Sequence, residues 1–284
     1  MHRHWLSVVV LFVALVAVHV GRPLAQRLPA SPATGTLYEP LDTLLDLYVR
    51  DGFVYYAALR GDRRRLDGYV DALDRPSTAA AYAAWTAPEQ AAFWVNAYNA
   101  LVLRTVIDNY PIRGTAPDYP SGSIRQISGA FERRQHRVAG RAVTLDAIEH
   151  EILPQFGDPR LFLALGRGAV GSPRLRSEAF VPSRFEAQLE SVSAECPTRA
   201  QCIVVDPPAN QIVVTAVVGW HEAEFSARYA GEGGAFASRS PIERAVLAFI
   251  GPHLFTTEQE FLARNQFEVT YGAFDWRLND LASR

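Results

Sequence analysis

The chain has little sulfur chemistry to offer: two cysteines, Cys196 and Cys202, stand in 284 residues, both inside ECPTRAQC. A thiolate-rich metal cage is excluded by that number, because such sites draw most of four ligands from cysteine. Beyond Val20 there is no uninterrupted apolar run long enough to span a bilayer. An excess of one charge is missing too. The formal net charge is −2, and it becomes slightly more negative if Arg3 and Arg22 are removed with the N-terminal segment. A dominant electrostatic grip on nucleic acid is therefore not expected. Several catalytic signatures are absent: H-E-x-x-H, G-K-[ST] and G-x-S-x-G. A hydrophobic content of 49% places the chain among globular proteins and away from disordered ones.

What is present begins with MHRH, the apolar stretch Trp5–Val20 and the small residue Ala25. A basic start, an apolar core and a small residue are the parts of a secretion signal, here assigned to residues 1–25. Pro23 is unusual at a cleavage site, so an uncleaved anchor is the competing reading; Trp5–Val20 is short for a full span. Residues 26–36, QRLPASPATGT, read as a flexible tether, and residues 37–284 as one domain. Export implies an oxidising compartment, where Cys196 and Cys202 pair as a disulfide. The expected location is extracytoplasmic, periplasmic or secreted, with membrane contact only through an uncleaved N-terminal segment.

Helical spacing of Leu41, Leu44, Leu45 and Tyr48 predicts a helix stopped at Gly52. FVYYAALR reads as extended, and GDRRRLDGYVDALDR as a second helix. The segment after Thr86 is a stronger signal: Thr86 and Glu89 form a capping box, Pro88 sits in the first turn and Pro111 ends the helix. It is apolar almost all round between Ala91 and Ile107, as a central helix should be. A hairpin is expected from His136–Val138 and Ala142–Thr144 around Ala139–Gly140–Arg141, with Thr144 capping LDAIEHEIL. LFLALGRG reads as a buried strand, CIVVDPPANQIVVTAVV as strand–turn–strand and QFEVTYGAF as a closing strand. The expected class is α+β: a single domain with a buried central helix packed on a mainly antiparallel sheet.

Three segments carry polar groups worth weighing. Asn96, Tyr98 and Asn99 lie on the central helix, with Asn96 and Asn99 on one face. They read either as a network tying a loop to the helix or as the floor of a binding pocket. Glu149 and His150 follow on a short helix, where His150 is a candidate acid or base. GRGAVGSPRLR offers Ser172 as a weak candidate nucleophile and Arg167, Arg174 and Arg176 as groups that grip a carboxylate or phosphate. Each also has a plain structural reading as a turn, a cap or a paired surface charge. No cofactor and no metal are expected.

The central helix FWVNAYNALVLRTVIDNYPI resembles the signature segment of the domain of unknown function 547 family. The likeness continues through DGFVYYAALR, SIRQI, TLDAIEHEIL, DPRLFLALGRG, SPRLR and FDWRLND, over roughly residues 40–281. The resemblance implies a fold group and no particular activity. It also implies a cysteine-bearing segment ending in C-P-P-L-R where this chain reads GRGAVGSPRLR. Arg167 and Ser172 stand where the family pattern has cysteine, Phe162 where histidine is frequent, and His221 and Glu224 where tyrosine and aspartate are usual. Asn96, Tyr98, Asn99, Glu149 and His150 fit the pattern. The functional expectation is an exported binding or interaction domain of the cell envelope, taking a small molecule, peptide or envelope partner. The rivals are a hydrolase-like or acyl-transfer-like enzyme using His150 with the Asn96/Asn99 face, and a purely structural envelope protein.

Overall fold

A computed structural model describes residues 32–283 of the chain, with side chains from 37 to 282. The expected signal and the first part of the tether lie outside the described residues. Helix α1 (Pro32–Tyr48) takes in residues 32–36, the end of the expected tether. It passes into a minimal hairpin of β1 (Val49–Arg50) and β2 (Phe53–Val54), and Gly52 in the turn has φ +84°. Only the start of FVYYAALR is extended; Tyr56–Gly61 forms α2. Helices α3 (Arg64–Leu73) and α4 (Pro76–Tyr82) lead to α5 (Ala87–Asn109).

The long helix α5 is the centre of the molecule. Its capping box is formed: the Thr86 backbone N–H donates to Glu89 Oε2 at 2.8 Å. Residues Ala91 through Leu103 are buried on every side. Burying Phe93, Trp94, Leu101 and Leu103 contributes about 1.5–3 kcal/mol each. Neighbours of α5 include α2, α3 and the segment that carries Glu149.

The next hairpin is tighter than expected. Strands β3 (His136–Val138) and β4 (Arg141–Val143) pair with Val138 opposite Arg141. Ala139 and Gly140 have φ of +50° and +78°, the left-handed pair that joins strands in two residues. Thr144 is thereby left outside the strand, and its hydroxyl caps α6 (Leu145–Ala147) by accepting the Ala147 N–H at 3.0 Å. The helix widens into a π turn over Ile148–Ile152 and tightens over Leu153–Phe156.

LFLALGRG is not a strand. Asp158 accepts the Arg160 N–H at 3.0 Å and starts the helical turn α7 (Arg160–Leu163), after which residues 164–176 form a loop. A short apolar run has no periodicity to tell strand from buried helix. Helix α8 (Phe185–Glu195) precedes the Cys196–Cys202 disulfide. Strands β5 (Ile203–Asp206) and β6 (Gln211–Val214) pair antiparallel. Helices α9 (Ala216–Trp220), α10 (Glu222–Tyr229), α11 (Pro241–Ile250) and α12 (Thr256–Ala263) follow, and β7 (Glu268–Tyr271) returns parallel to β6. The architecture is a single α+β domain: helices around α5, antiparallel hairpins and one small mixed sheet. No helix among the described residues is long and apolar enough to cross a membrane.

The segment after β7 fastens distant parts together. Val170 N–H donates to Arg277 O at 2.8 Å and Gly171 N–H to Asp275 O at 2.9 Å. Val54 N–H donates to Asn279 O at 2.9 Å, Tyr56 Oη to Asn279 Oδ1 at 2.7 Å, and Tyr110 Oη to Asp280 Oδ2 at 2.7 Å.

Candidate functional site

The two asparagines of α5 act as clamps on backbone. Asn96 Nδ2 donates to Phe180 O at 2.7 Å while its Oδ1 accepts the Phe180 N–H at 2.9 Å. Asn99 Nδ2 donates to Ala164 O at 3.1 Å and its Oδ1 accepts the Gly166 N–H at 2.8 Å. Each amide thus closes a two-bond ring onto a loop, which satisfies both buried ends. This is the network reading of the pair.

Tyr98, on the same helix, reaches the π turn: its hydroxyl donates to Glu149 Oε2 at 2.8 Å. Burial raises the Tyr98 phenol well above its usual value, and the Glu149 charge adds to that, so it stays a donor. Glu149 is the hub of the interior. Arg167 Nε donates to its Oε1 at 3.0 Å and to its Oε2 at 3.2 Å, and Arg167 Nη2 also contacts Oε1. His221 Nε2 lies 3.1 Å from the same Oε1. Burial alone would raise the Glu149 carboxyl; the Arg167 guanidinium and the His221 bond overcome that and hold it well below the usual carboxylate range. His221 is pushed down by burial more than Glu149 lifts it, so the neutral ring donates Nε2–H to the carboxylate.

The ring of His221 is stacked flat on Phe162, centroids 3.5 Å apart and planes 2° apart. His150 stacks over its other side at 5.2 Å. The π turn thus places Glu149 inside and His150 outside, where its Nε2 lies 3.5 Å from Asp146. Ser172 is spent locally: its Oγ accepts the Arg167 N–H at 3.0 Å. Among the described residues no hydrogen bond joins Ser172 to His150. Arg174 and Arg176 do grip a carboxylate, but it is the protein's own Glu195, at 2.7 Å from Arg174 Nη2 and 2.9 Å from Arg176 Nη1.

Phe162, Arg167, Ser172 and His221, the departures from the family pattern, are not scattered. Arg167 and His221 meet on Glu149, Phe162 lies under His221, and Ser172 holds the Arg167 backbone. Arg167, like Arg174 and Arg176, grips a carboxylate of the protein itself, in its case the buried Glu149. The signal was there in Glu149, an acid between Ile148 and Ile152 on an otherwise apolar face that required a cation.

Above this interior lies an aromatic surface that the sequence did not single out. Arg167 Cζ stands 5.6 Å from the centre of the Trp220 ring, which is 40% exposed. Trp220 contacts Phe274 at 4.8 Å, and Phe274 contacts Trp276 at 4.4 Å. Arg125 covers Trp276 at 4.5 Å. Phe274 also lines a cleft of about 150 Å³. Its other walls include Gly171 from the 164–176 loop, Gln201 and Cys202 from the disulfide loop, and Thr215 after β6. Asp275 closes it. Among the described residues no group of His, Cys, Asp and Glu side chains is arranged to hold a metal ion.

Residues 82–195 match the profile of a family described as "Protein of unknown function, DUF547". That span holds Asn96, Tyr98, Asn99, Glu149, Arg167 and Ser172, while His221, Phe274 and Asp275 lie beyond it. No curated protein and no solved structure matches the chain. The similarity to the DUF547 family thus runs from the end of α4 through α8.

Proposed function

We propose that the protein is an exported ligand-binding domain of the cell envelope. One contrast carries this reading. The inner polar groups are committed to one another, whereas the neighbouring aromatic groups remain partly open beside a cleft. A serine or acyl-transfer mechanism needs its nucleophile within about 2.6–3.2 Å of the base. Ser172 Oγ is instead occupied by the Arg167 N–H, and His150 rests on His221 at the surface. Ligand sites, by comparison, are concave and mostly apolar with a few placed polar groups, which describes the walls formed by Thr215, Phe274 and Asp275. The N-terminal MHRH–apolar–Ala25 pattern and the Cys196–Cys202 bond support an extracytoplasmic setting.

The test uses the full-length protein, expressed with its N-terminal segment and recovered by cell fractionation. Purified protein is sedimented with isolated envelope material. Co-sedimentation of the wild type, lost in Phe274→Ala and kept in His150→Ala, is the expected result. Turnover of an activated ester that disappears in His150→Ala would overturn it in favour of the enzyme.

A further inference from the structure

Building on the binding-domain reading, we propose that the cleft between the end of β6, the 164–176 loop and residues 272–275 takes a neutral saccharide. One sugar face would rest on the Phe274–Trp220 aromatic surface, and sugar hydroxyls would bond Asp275 and Gln201.

Four observations lead there. The first is shape. The cleft holds about 150 Å³, room for a single ring or the end of a short chain. The second is rigidity. Gly171 N–H binds Asp275 O at 2.9 Å, Gly272 N–H binds Val214 O at 2.8 Å, and Thr215 N–H binds Cys202 O at 2.7 Å. Backbone thus ties each wall to the next. A Cβ on Gly171 would come within 2.5 Å of the Asp275 nitrogen, so only glycine allows the walls to approach this closely. A site set before its ligand arrives loses less entropy on binding.

The third observation is charge. Asp275 is the acid of the cleft wall, and Arg277 Nε holds both of its oxygens at 3.0 Å. The pair cancels, so neither an anion nor a cation is favoured. Arg277 N–H and Nε fill Oδ1 and Nη2 takes one side of Oδ2, which leaves the outer side of Oδ2 for a hydroxyl donor, and the Gln201 amide both donates and accepts. The fourth is the aromatic wall. Trp220 is 40% exposed and lies 4.8 Å from Phe274, which lines the cleft. Flat aromatic faces attract apolar C–H surfaces. A lipid tail would cover the aromatics but set the Gln201 amide and the partly exposed Asp275–Arg277 pair against hydrocarbon, at a desolvation cost. A neutral molecule with an apolar face and a hydroxylated rim meets both demands, and that is a sugar.

Tryptophan fluorescence of the full-length protein is titrated with chitotriose, maltotriose and cellotriose. At least one should give a saturable change. Phe274→Ala and Asp275→Asn should each weaken it at least about tenfold, the loss of one good contact. Phe255→Ala, an exposed aromatic outside the cleft lining, should leave it intact. Circular dichroism and the thermal midpoint establish that each variant is folded. No saturable change with any of the three sugars overturns the proposal, as does equal affinity in the folded Phe274→Ala and Asp275→Asn variants. Tighter binding of glucosamine or glucuronate than of the neutral sugars overturns it too. If the sugars fail while envelope co-sedimentation persists, the saccharide falls and the binding-domain reading stands. If the wild type binds neither, both fall.

Discussion

Arg167 and Glu149 form an ion pair that is closed off from water, 1% and 6% exposed in their side chains. Removing one partner leaves the other charged and buried. Glu149→Gln is therefore expected to cost about 3–5 kcal/mol, read from the urea midpoint. The double variant Glu149→Gln, Arg167→Met should be more stable than Glu149→Gln alone, because it removes the stranded charge. If the double variant is the less stable, the pair is not the source of the effect.

The pH dependence has a defined sign. Burial lowers the imidazoles of both His221 and His136, the latter to about 4 from the usual 6.5. The unfolded chain then binds more protons than the folded one between those values. Stability is in place above about pH 6.5 and is lost as the pH falls toward 4. Glu149, held below the usual carboxylate range, extends the loss below about pH 4.5. The His136 part amounts to about 2 kcal/mol after allowance for partial exposure. Chemical denaturation of wild type and His136→Gln at pH 7.5 and 5 checks it: the variant should have the shallower slope.

The Asn99 clamp predicts a loss without any change in ligand binding. Asn99→Ala strands the Ala164 carbonyl and the Gly166 N–H, at about 1–3 kcal/mol. Asn96→Ala should fall in the same range through Phe180. A denaturant midpoint that does not move would show the amides to be dispensable to the fold.

The Cys196–Cys202 bond closes a short loop, so its effect on the unfolded chain is modest. On the chain-entropy model it contributes about 2 kcal/mol. Cys196→Ala, Cys202→Ala is expected to lose about that much while staying folded. Mass spectrometry of protein taken from the cell envelope should find the two sulfurs joined; free thiols there would count against export.

Legibility from the sequence followed the range of the interactions. Helix α5 was readable because Thr86, Glu89, Pro88 and Pro111 are local signals around an apolar stretch. The β5–β6 pair was readable for the same reason. The Ala139–Gly140 turn was placed, but its length was off by one because positive φ at a non-glycine residue leaves little mark in sequence. The Glu149 hub joins residues far apart in the chain, and nothing near Arg167 announces that its guanidinium turns inward. The cleft was invisible for a stronger reason: its walls come from the 164–176 loop, the disulfide loop, the end of β6 and the residues after β7, which only the folded chain brings together.

The fastening by Arg277, Asn279 and Asp280 has a consequence for how the protein comes into being. These residues hold Val170, Val54, Tyr56 and Tyr110, which are made much earlier. A growing chain can wind α5 as soon as it emerges, but the loop and hairpin stay unlatched until residue 280 has been synthesised.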